Sequence, residues 1–383
     1  MILTLTLNPS LDRTIEVDSL TRGTVIRAAT AHLDPGGKGV NVSRALLANG
    51  ITSCAVIPYG GDEGRRLVDL LFDEGLDMIT VPVTGATRSN VTIAEPDGTV
   101  TKINEPGTAL SPGELDAVAD AVLKAAHSAD WVVASGSLPP GVPTDVYARL
   151  CARFAAAGIL VAVDTSGPAL RQAIAASPAL VKPNREELAE ATGAPISSLG
   201  DAVGAALTLR EQGARAVLAS LGADGAILLT GGDGTDGGTD GGTGDGTVRA
   251  WYGHAPVPEP RSTVGAGDAM LAGLLAAGGP AGGGAALAEA VAWATAAVGL
   301  PGSRMPVASD IRRDTVTVQE IDVRRAGVRR PGHGEPGRDR EAGHAEPGSD
   351  REAAPADSRD DREPGASREP RELDLTKPLR SGG

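Results

Sequence analysis

The chain has 383 residues and 49 acidic against 35 basic side chains, a formal charge of −14, which argues against a nucleic-acid binder because phosphate contacts need a clustered basic surface. Phe, Trp and Tyr contribute 2, 3 and 3 residues while Gly and Pro contribute 52 and 27, so a core must come from Val, Leu, Ile and Ala, the material of parallel strands under Ala-rich helices. Two cysteines, Cys54 and Cys151, make no disulfide framework and no Cys/His cluster has zinc-ligand spacing, as in a reduced, cytoplasmic protein.

Residues 1–7 alternate apolar and polar like a strand and lack the basic n-region and cleavage signal of a secretory leader. Further strands are predicted over 55–59, 131–135, 160–164, 180–182 and 216–221, the first being 3–7. Helical patterns fall between them, one opened by the capping box Ser111-Pro-Gly-Glu114. This alternation predicts an α/β fold, a doubly wound, mainly parallel sheet with helices on both faces. Three stretches break the pattern with a period of two: 14–18, 25–33, and the hairpin 90–95/99–104 around Pro96-Asp97-Gly98. They predict a small β-sheet lid, from about 13–33 and 88–105, over the ends of the main strands. The apolar stretch 269–300 is interrupted by Gly and Pro and contains Glu289, which fits buried helices better than a membrane span.

Two segments are low in complexity. Residues 231–247, all Gly, Asp and Thr, lie between apolar runs 226–230 and 248–252 and read as an expanded hairpin loop dispensable for chemistry. From 327 to 383 there are 11 basic and 13 acidic residues, no aromatic, and a tandem imperfect repeat over 332–342 and 343–353. With little apolar surface to offset ordering entropy, this tail is expected to be disordered. The body is thus one domain over 1–326.

The strongest chemical signal is Ser262-Thr-Val-Gly-Ala-Gly-Asp268, running into the apolar helix from Ala269. Small residues before a helix leave backbone N–H groups free to stabilise developing negative charge, and Asp268 stands where a carboxylate can take a proton from an attacking hydroxyl. Taken alone, the same residues also read as a tight turn with Asp268 as a helix cap. Asp34-Pro-Gly-Gly-Lys-Gly-Val-Asn41 also leads into a helix: Gly36 and Gly37 admit close backbone approach, and Lys38 and Asn41 offer a charge and an amide. Lys182-Pro-Asn184 follows a strand, with Asn184 and Glu187 spaced as a capping box or as acceptors for magnesium-bound water. Ser220-Leu-Gly-Ala-Asp-Gly225 joins two apolar runs, either as a plain hairpin or as a backbone surface for a nucleotide. Asp12 lies beyond the end of the first strand, where open α/β sheets bind ligands. Arg88, before the hairpin, is a candidate anion clamp or an ordinary surface residue.

In this order the segments resemble the PfkB carbohydrate kinases of the ribokinase-like superfamily, over nearly all of 1–322. Leu5-Thr-Leu-Asn-Pro-Ser-Leu-Asp12, Gly36-Gly-Lys-Gly39, Ser135-Gly-Ser-Leu-Pro-Pro-Gly141, Asp164-Thr-Ser-Gly167 and Lys182-Pro-Asn184 are similar to its phosphosugar branch, and the segment 91–107 to the 1-phosphofructokinases within it. The resemblance implies an ATP- and Mg²⁺-dependent kinase that phosphorylates fructose 1-phosphate at its 6-hydroxyl. The alternatives are a tagatose-6-phosphate kinase or 6-phosphofructokinase of the same branch, or, from another class, a non-catalytic sugar-phosphate sensor. It implies Asp268 as general base with Gly265, Ala266 and Gly267 as anion hole. Asp12, Gly36, Gly37, Asn41 and Ser137 fall on the sugar, and Lys38 and Arg88 near its phosphate. Arg27, in a lid strand, is a further phosphate contact. Lys182, Asn184, Ser220, Gly222, Ala223 and Gly225 fall on the ATP side and Glu187 on the metal's water shell. The partner implied is a small sugar phosphate, with no nucleic acid and no membrane. Exposed edges of a short-stranded lid favour a homodimer through it.

Overall fold

Along the first strand Leu3, Leu5 and Leu7 bury on one face and Ile2 on the other. Burial on both faces is the signature of a strand inside a doubly wound sheet. The computed structural model describes residues 1–231, 248–323 and 373–380. The first elements are β1 (Ile2–Thr6), β2 (Ser10–Glu16), β3 (Thr30–Gly36), α1 (Lys38–Ala48), β4 (Ser53–Tyr59), α2 (Gly61–Asp73) and β5 (Met78–Pro82). There follow β6 (Arg88–Ala94), β7 (Val100–Ile103), α3 (Pro112–Ala126), β8 (Trp131–Ser135), α4 (Val146–Ala156), β9 (Leu160–Asp164) and α5 (Gly167–Ala175). The remainder are β10 (Leu180–Val181), α6 (Arg185–Thr192), α7 (Leu199–Glu211), β11 (Ala216–Ser220), β12 (Ala226–Thr230), β13 (Arg249–His254), α8 (Ala266–Ala276), α9 (Gly283–Val298) and β14 (Thr317–Ile321).

Ten strands form one sheet in the order β14-β13-β12-β11-β10-β9-β8-β1-β4-β5. Pairing is parallel from β5 to β11 and antiparallel from β11 to β14. Helices α3 to α7 cover one face around the fully buried Tyr147 and Phe154, and α1, α8 and α9 cover the other with Trp293 and Leu271. The stretch Gly279–Val298 has the length and apolarity to cross a membrane. In the fold it packs on β12, β13 and β14, and Leu287, Ala290 and Trp293 are buried there. Strands β5 and β14 were not foreseen, although Val316, Val318 and Ile321 carry a weak alternating signal.

The lid is a separate four-stranded sheet, β3-β2-β6-β7. Its hairpin turn forms as read: Gly98 has φ +90° and the Thr99 amide donates to Asp97 Oδ1 at 2.8 Å. Its first two strands lie elsewhere than expected. Strand β2 begins at Ser10 and β3 at Thr30, while Val25 is 87 % exposed on the connection between them. Period-two alternation at 25–28 has no strand to pair with, because the ladder matches Glu16 to Thr30 and Ser10 to Gly36 and ends with the Ala29 amide donating to the Glu16 carbonyl at 2.8 Å. The chain joins the lid to the main domain at four points: Asn8-Pro9 after β1, Gly37 before α1, residues 83–87 between β5 and β6, and residues 104–111 between β7 and α3.

The loop expected over 231–247 lies almost wholly outside the described residues, but the strands flanking it pair antiparallel, Thr230 opposite Arg249. Most of the tail also lies outside them. Its segment 373–380 does not follow the expectation of disorder. Leu373, Leu375 and Leu379 pack against the α3–α7 core. The Gly200 amide donates to the Leu375 carbonyl at 2.9 Å and the Leu379 amide to that of Ser197 at 2.8 Å. Three leucines at spacings of two and four supply the apolar surface that the rest of the tail lacks.

Candidate active site

The carboxyl ends of β1, β8, β9, β10 and β11 share one edge of the sheet, and the first turns of α1 and α8 open onto it from one face. Parallel strands and their following helices place loops and helix N-termini there, which is why ligands of such sheets bind at that edge. Two glycines permit the approach. A Cβ on Gly39 would lie 2.5 Å from Thr6 Oγ1, so α1 can rest on β1 only without one, and Gly37 has φ +118° as the chain turns from the lid into the helix.

Asp268 is 7 % exposed in the first turn of α8. The reading of Asp268 as a helix cap is not realised: the N-cap is Gly265 at φ +76°, without a side-chain cap. The carboxylate instead accepts a hydrogen bond from Asn41 Nδ2 of α1, 2.9 Å from Oδ2, leaving Oδ1 available. Burial, reinforced by the negative charge of Asp164, raises its pKa to about 6 against the opposing pull of Lys182, the Asn41 hydrogen bond and Lys38. Such a group is ionised at neutral pH yet basic enough to accept a proton. Asn41 Oδ1 is buried without a partner, an acceptor left open beside it. Gly265, Ala266 and Gly267 begin the helix, where amides lack the carbonyl four residues earlier; the Ala266 amide makes only a long bond to the Thr263 carbonyl, 3.4 Å.

Next to this helix start lies a cluster of charge. Asp164, at the end of β9, is wholly buried; Lys38 donates to its Oδ1 at 2.7 Å and Lys182 Nζ stands 3.0 Å from its Oδ2. Lys38 Nζ is also 3.5 Å from Glu187 Oε1. Although burial works to raise it, Lys182 and Lys38 together hold the Asp164 carboxyl below the usual range. Burial likewise opposes the charge on Lys38, and Asp164 and Glu187 outweigh it, so its pKa rises. A Cβ on Gly267 would lie 3.2 Å from Lys182 Nζ, which puts that ammonium against the candidate anion hole.

On the lid side, Asp12 accepts from Asn90 Nδ2 at 2.9 Å, and a Cβ on Gly36 would lie 2.3 Å from Asp12 Oδ2. Arg88 donates to the carbonyls of Asn8 (3.0 Å) and Glu105 (3.1 Å), while its Nε is buried without an acceptor. Asn8 Nδ2 also reaches Ser137 Oγ at 3.2 Å. Lys38 and Arg88 therefore have separate partners, the first at Asp164 and the second at the strand β1 exit. Arg27 does not lie in a lid strand as expected but on the exposed connection between β2 and β3, because β3 starts three residues later.

On the other side, the capping box of α6 is complete: Glu187 N donates to Asn184 Oδ1 at 2.8 Å, and Asn184 N to Glu187 Oε2 at 2.9 Å. The cap uses Oε2 and leaves Oε1 facing Lys38, so the two readings of Glu187 are compatible. Asn184 bridges to Ser220 at the end of β11, followed by the turn of Gly222 (φ +63°), Ala223, Asp224 and Gly225 (φ +93°), with Gly222 and Ala223 exposed. Asn90 escaped the sequence reading, because its significance comes from a cross-strand register, Asp12 opposite Asn90, that one chain does not reveal; Asn8 stood in the first motif, but its contacts with Ser137 and Arg88 come from distant segments.

A doubly wound sheet with a small sheet over its carboxyl edge and a glycine-lined helix start beside a buried aspartate is the architecture of ribokinase-like kinases. The phosphofructokinase-2 structure from Escherichia coli is similar to this chain with a TM-score of 0.72 and 32 % identity, covering 81 % of this chain and 96 % of that one. Residues 5–305 match the family described as pfkB family carbohydrate kinase, and the chain belongs to it. A 1-phosphofructokinase of Rhodobacter capsulatus is 40 % identical over 277 residues, 72 % of this chain and 82 % of its own. An ATP-dependent 6-phosphofructokinase isozyme 2 of Mycobacterium tuberculosis is 36 % identical over 279 residues, 71 % of this chain and 76 % of its own.

Proposed function

We propose that the protein transfers the terminal phosphoryl group of ATP to the 6-hydroxyl of fructose 1-phosphate, giving fructose 1,6-bisphosphate and ADP. The observation that carries the reading is the buried Asp268, raised to about 6 and hydrogen-bonded by Asn41 at the start of α8. Asp268 takes the hydroxyl proton as that oxygen forms its bond to the γ-phosphorus, and the bond from phosphorus to the β-phosphate oxygen breaks with its electrons leaving on ADP. The amides of Gly265, Ala266 and Gly267 receive charge on the phosphoryl oxygens. The open acceptor of Asn41, with Asp12, Gly36, Gly37 and Ser137, suits sugar hydroxyls, and the unpaired Arg88 Nε suits the sugar's own phosphate. Lys182, Asn184, Ser220 and the backbone of Gly222, Ala223 and Gly225 would line the ATP side.

Among the described residues no three His, Cys, Asp or Glu side chains converge on a metal position. Glu187 Oε1, not used by the cap and 3.5 Å from Lys38 Nζ, fits the water shell of a Mg²⁺ ion held chiefly by water and nucleotide phosphates, which would supply charge neutralisation there. The lid closes the pocket from water. Its strand β7 leaves Val100 and Ile103 47 % and 57 % exposed, which supports a homodimer through the lid.

The fructofuranose ring is nearly symmetric on exchange of its C1 and C6 arms, so a pocket can take phosphate at either end with one product. The Rhodobacter capsulatus relative favours fructose 1-phosphate. Steady-state assays with fructose 1-phosphate, fructose 6-phosphate and tagatose 6-phosphate decide: the first should have the highest kcat/KM, and lack of that preference rejects the substrate assignment. Asp268→Asn should lower kcat by roughly 10²–10⁴-fold; near-normal turnover rejects the mechanism.

A further inference from the structure

Asp164 ends β9 wholly buried, and no step above uses it. A carboxylate taken out of water persists as an anion only where opposite charge and hydrogen bonds replace its hydration. Here Lys38 hydrogen-bonds Oδ1 at 2.7 Å, and Lys182 stands 3.0 Å from Oδ2 as an ion pair, Oδ2 making no hydrogen bond. The two lysines come from different layers, one opening α1 and the other following β10, and Asp164 is the anion both touch. Lys182 is 4 % exposed and abuts Gly267, while Lys38 reaches toward Glu187. The ammonium pair thus spans the site from Glu187 to the candidate anion hole at Gly267.

We propose that Asp164 is a positioning residue, a single carboxylate that holds Lys38 and Lys182 as a fixed pair of cations along the path of the transferring phosphoryl group. The inference rests on the phosphotransfer reading and deepens it. Asp164 forms and breaks no bond and gives up no proton. Each ammonium carries three N–H donors, so donors remain for phosphoryl oxygens after Asp164 is satisfied. Cations already in place need no reorganisation as charge moves toward the departing ADP. Lys38 is thereby assigned to the transferring group and not to the phosphate that the sugar already carries.

The test uses the full chain and two variants. Asp164→Asn keeps the shape and removes the charge. It should lower kcat by about 10–10³-fold, the range for lost electrostatic support at the transferring group, with the KM for the sugar phosphate changed less than about threefold on the same argument. The charged groups facing Asp268 are Lys38 from α1, Asp164 from β9 and Lys182 beyond β10. Of these only Asp164 opposes ionisation, so the acid limb of kcat/KM should move to lower pH; a mere packing defect reduces the active fraction and leaves that limb in place. Lys38→Gln, at a partly exposed position, should likewise lower kcat with little change in sugar-phosphate KM, and it decides alone if the first variant does not fold. A wild-type kcat and acid limb in Asp164→Asn, or a tenfold rise in sugar-phosphate KM at unchanged kcat in Lys38→Gln, overturns the role. Activity retained by Asp268→Asn defeats the phosphotransfer reading itself; loss there with both other variants at wild-type levels defeats only the positioning role.

Discussion

In its proposed role as base, Asp268 sets the needs of catalysis against those of stability. Its folded pKa, about 6, lies above the unfolded value near 3.8, so the folded protein binds a proton there more tightly than the unfolded chain does. The resulting stabilisation is fully present below the unfolded pKa and is lost as pH rises through about 6. Asp268→Asn should therefore stabilise the protein at pH 8, on the order of 1–3 kcal/mol, and change little at pH 4; chemical denaturation at both pH values checks this. Catalysis has the opposite dependence, because a base must be ionised: kcat/KM for the native enzyme should fall as pH drops through the same region. A variant neither more stable at pH 8 nor pH-shifted would show that burial does not penalise this carboxylate. The motif Gly265–Asp268 had two readings in the sequence, and what separates them is the Asn41 hydrogen bond, made by a side chain 227 positions away.

At the scale of elements, three helices start with reciprocal capping boxes, Ser111/Glu114 on α3, Asn184/Glu187 on α6 and Ser198/Asp201 on α7. Their local chemistry is alike, but only α6 opens onto the site. Ser198→Ala should cost about 1 kcal/mol of stability and leave the kinetics alone, whereas Asn184→Ala should cost a similar amount and also raise the KM for ATP. Thermal denaturation together with ATP titration separates the two; equal kinetics in both variants would reduce Asn184 to a cap. The boxes of α3 and α6 were legible because a box needs only residues i and i+3, and that of α7 was passed over. The early lid strands were not, since β2 and β3 take their bounds from each other's register and not from their own alternation.

For the whole molecule, the segment 373–380 changes what truncation should do. Its three leucines pack on the core, and the Arg380 amide donates to Asp224 Oδ2 at 2.7 Å while Arg185 Nη1 donates to the Arg380 carbonyl at 2.6 Å. Ending the chain at residue 372 should lower stability by roughly 2 kcal/mol, the worth of a few half-buried leucines after ordering entropy, and Tm by several degrees. An unchanged melting curve would show that the packing contributes nothing. On the lid edge, Ile103→Asp should shift a dimer toward monomer in sedimentation velocity, because a charge on a covered apolar patch is costly; an unchanged sedimentation coefficient argues against assembly through the lid.

The amino-acid order alone determined the doubly wound sheet, the glycine-led helix starts and the lid hairpin, because period, caps and turn residues act over a few positions. It also marked most of the polar groups of the site, through motifs short enough to read one at a time. Only the tertiary structure decided how those groups pair: Asn41 with Asp268, Lys38 and Lys182 with Asp164, Arg88 with the exit of β1, and a stretch of the tail with α7. The physical reason is that a buried charge is defined by its partners, and these partners stand on different strands and helices that meet only when the sheet closes around them.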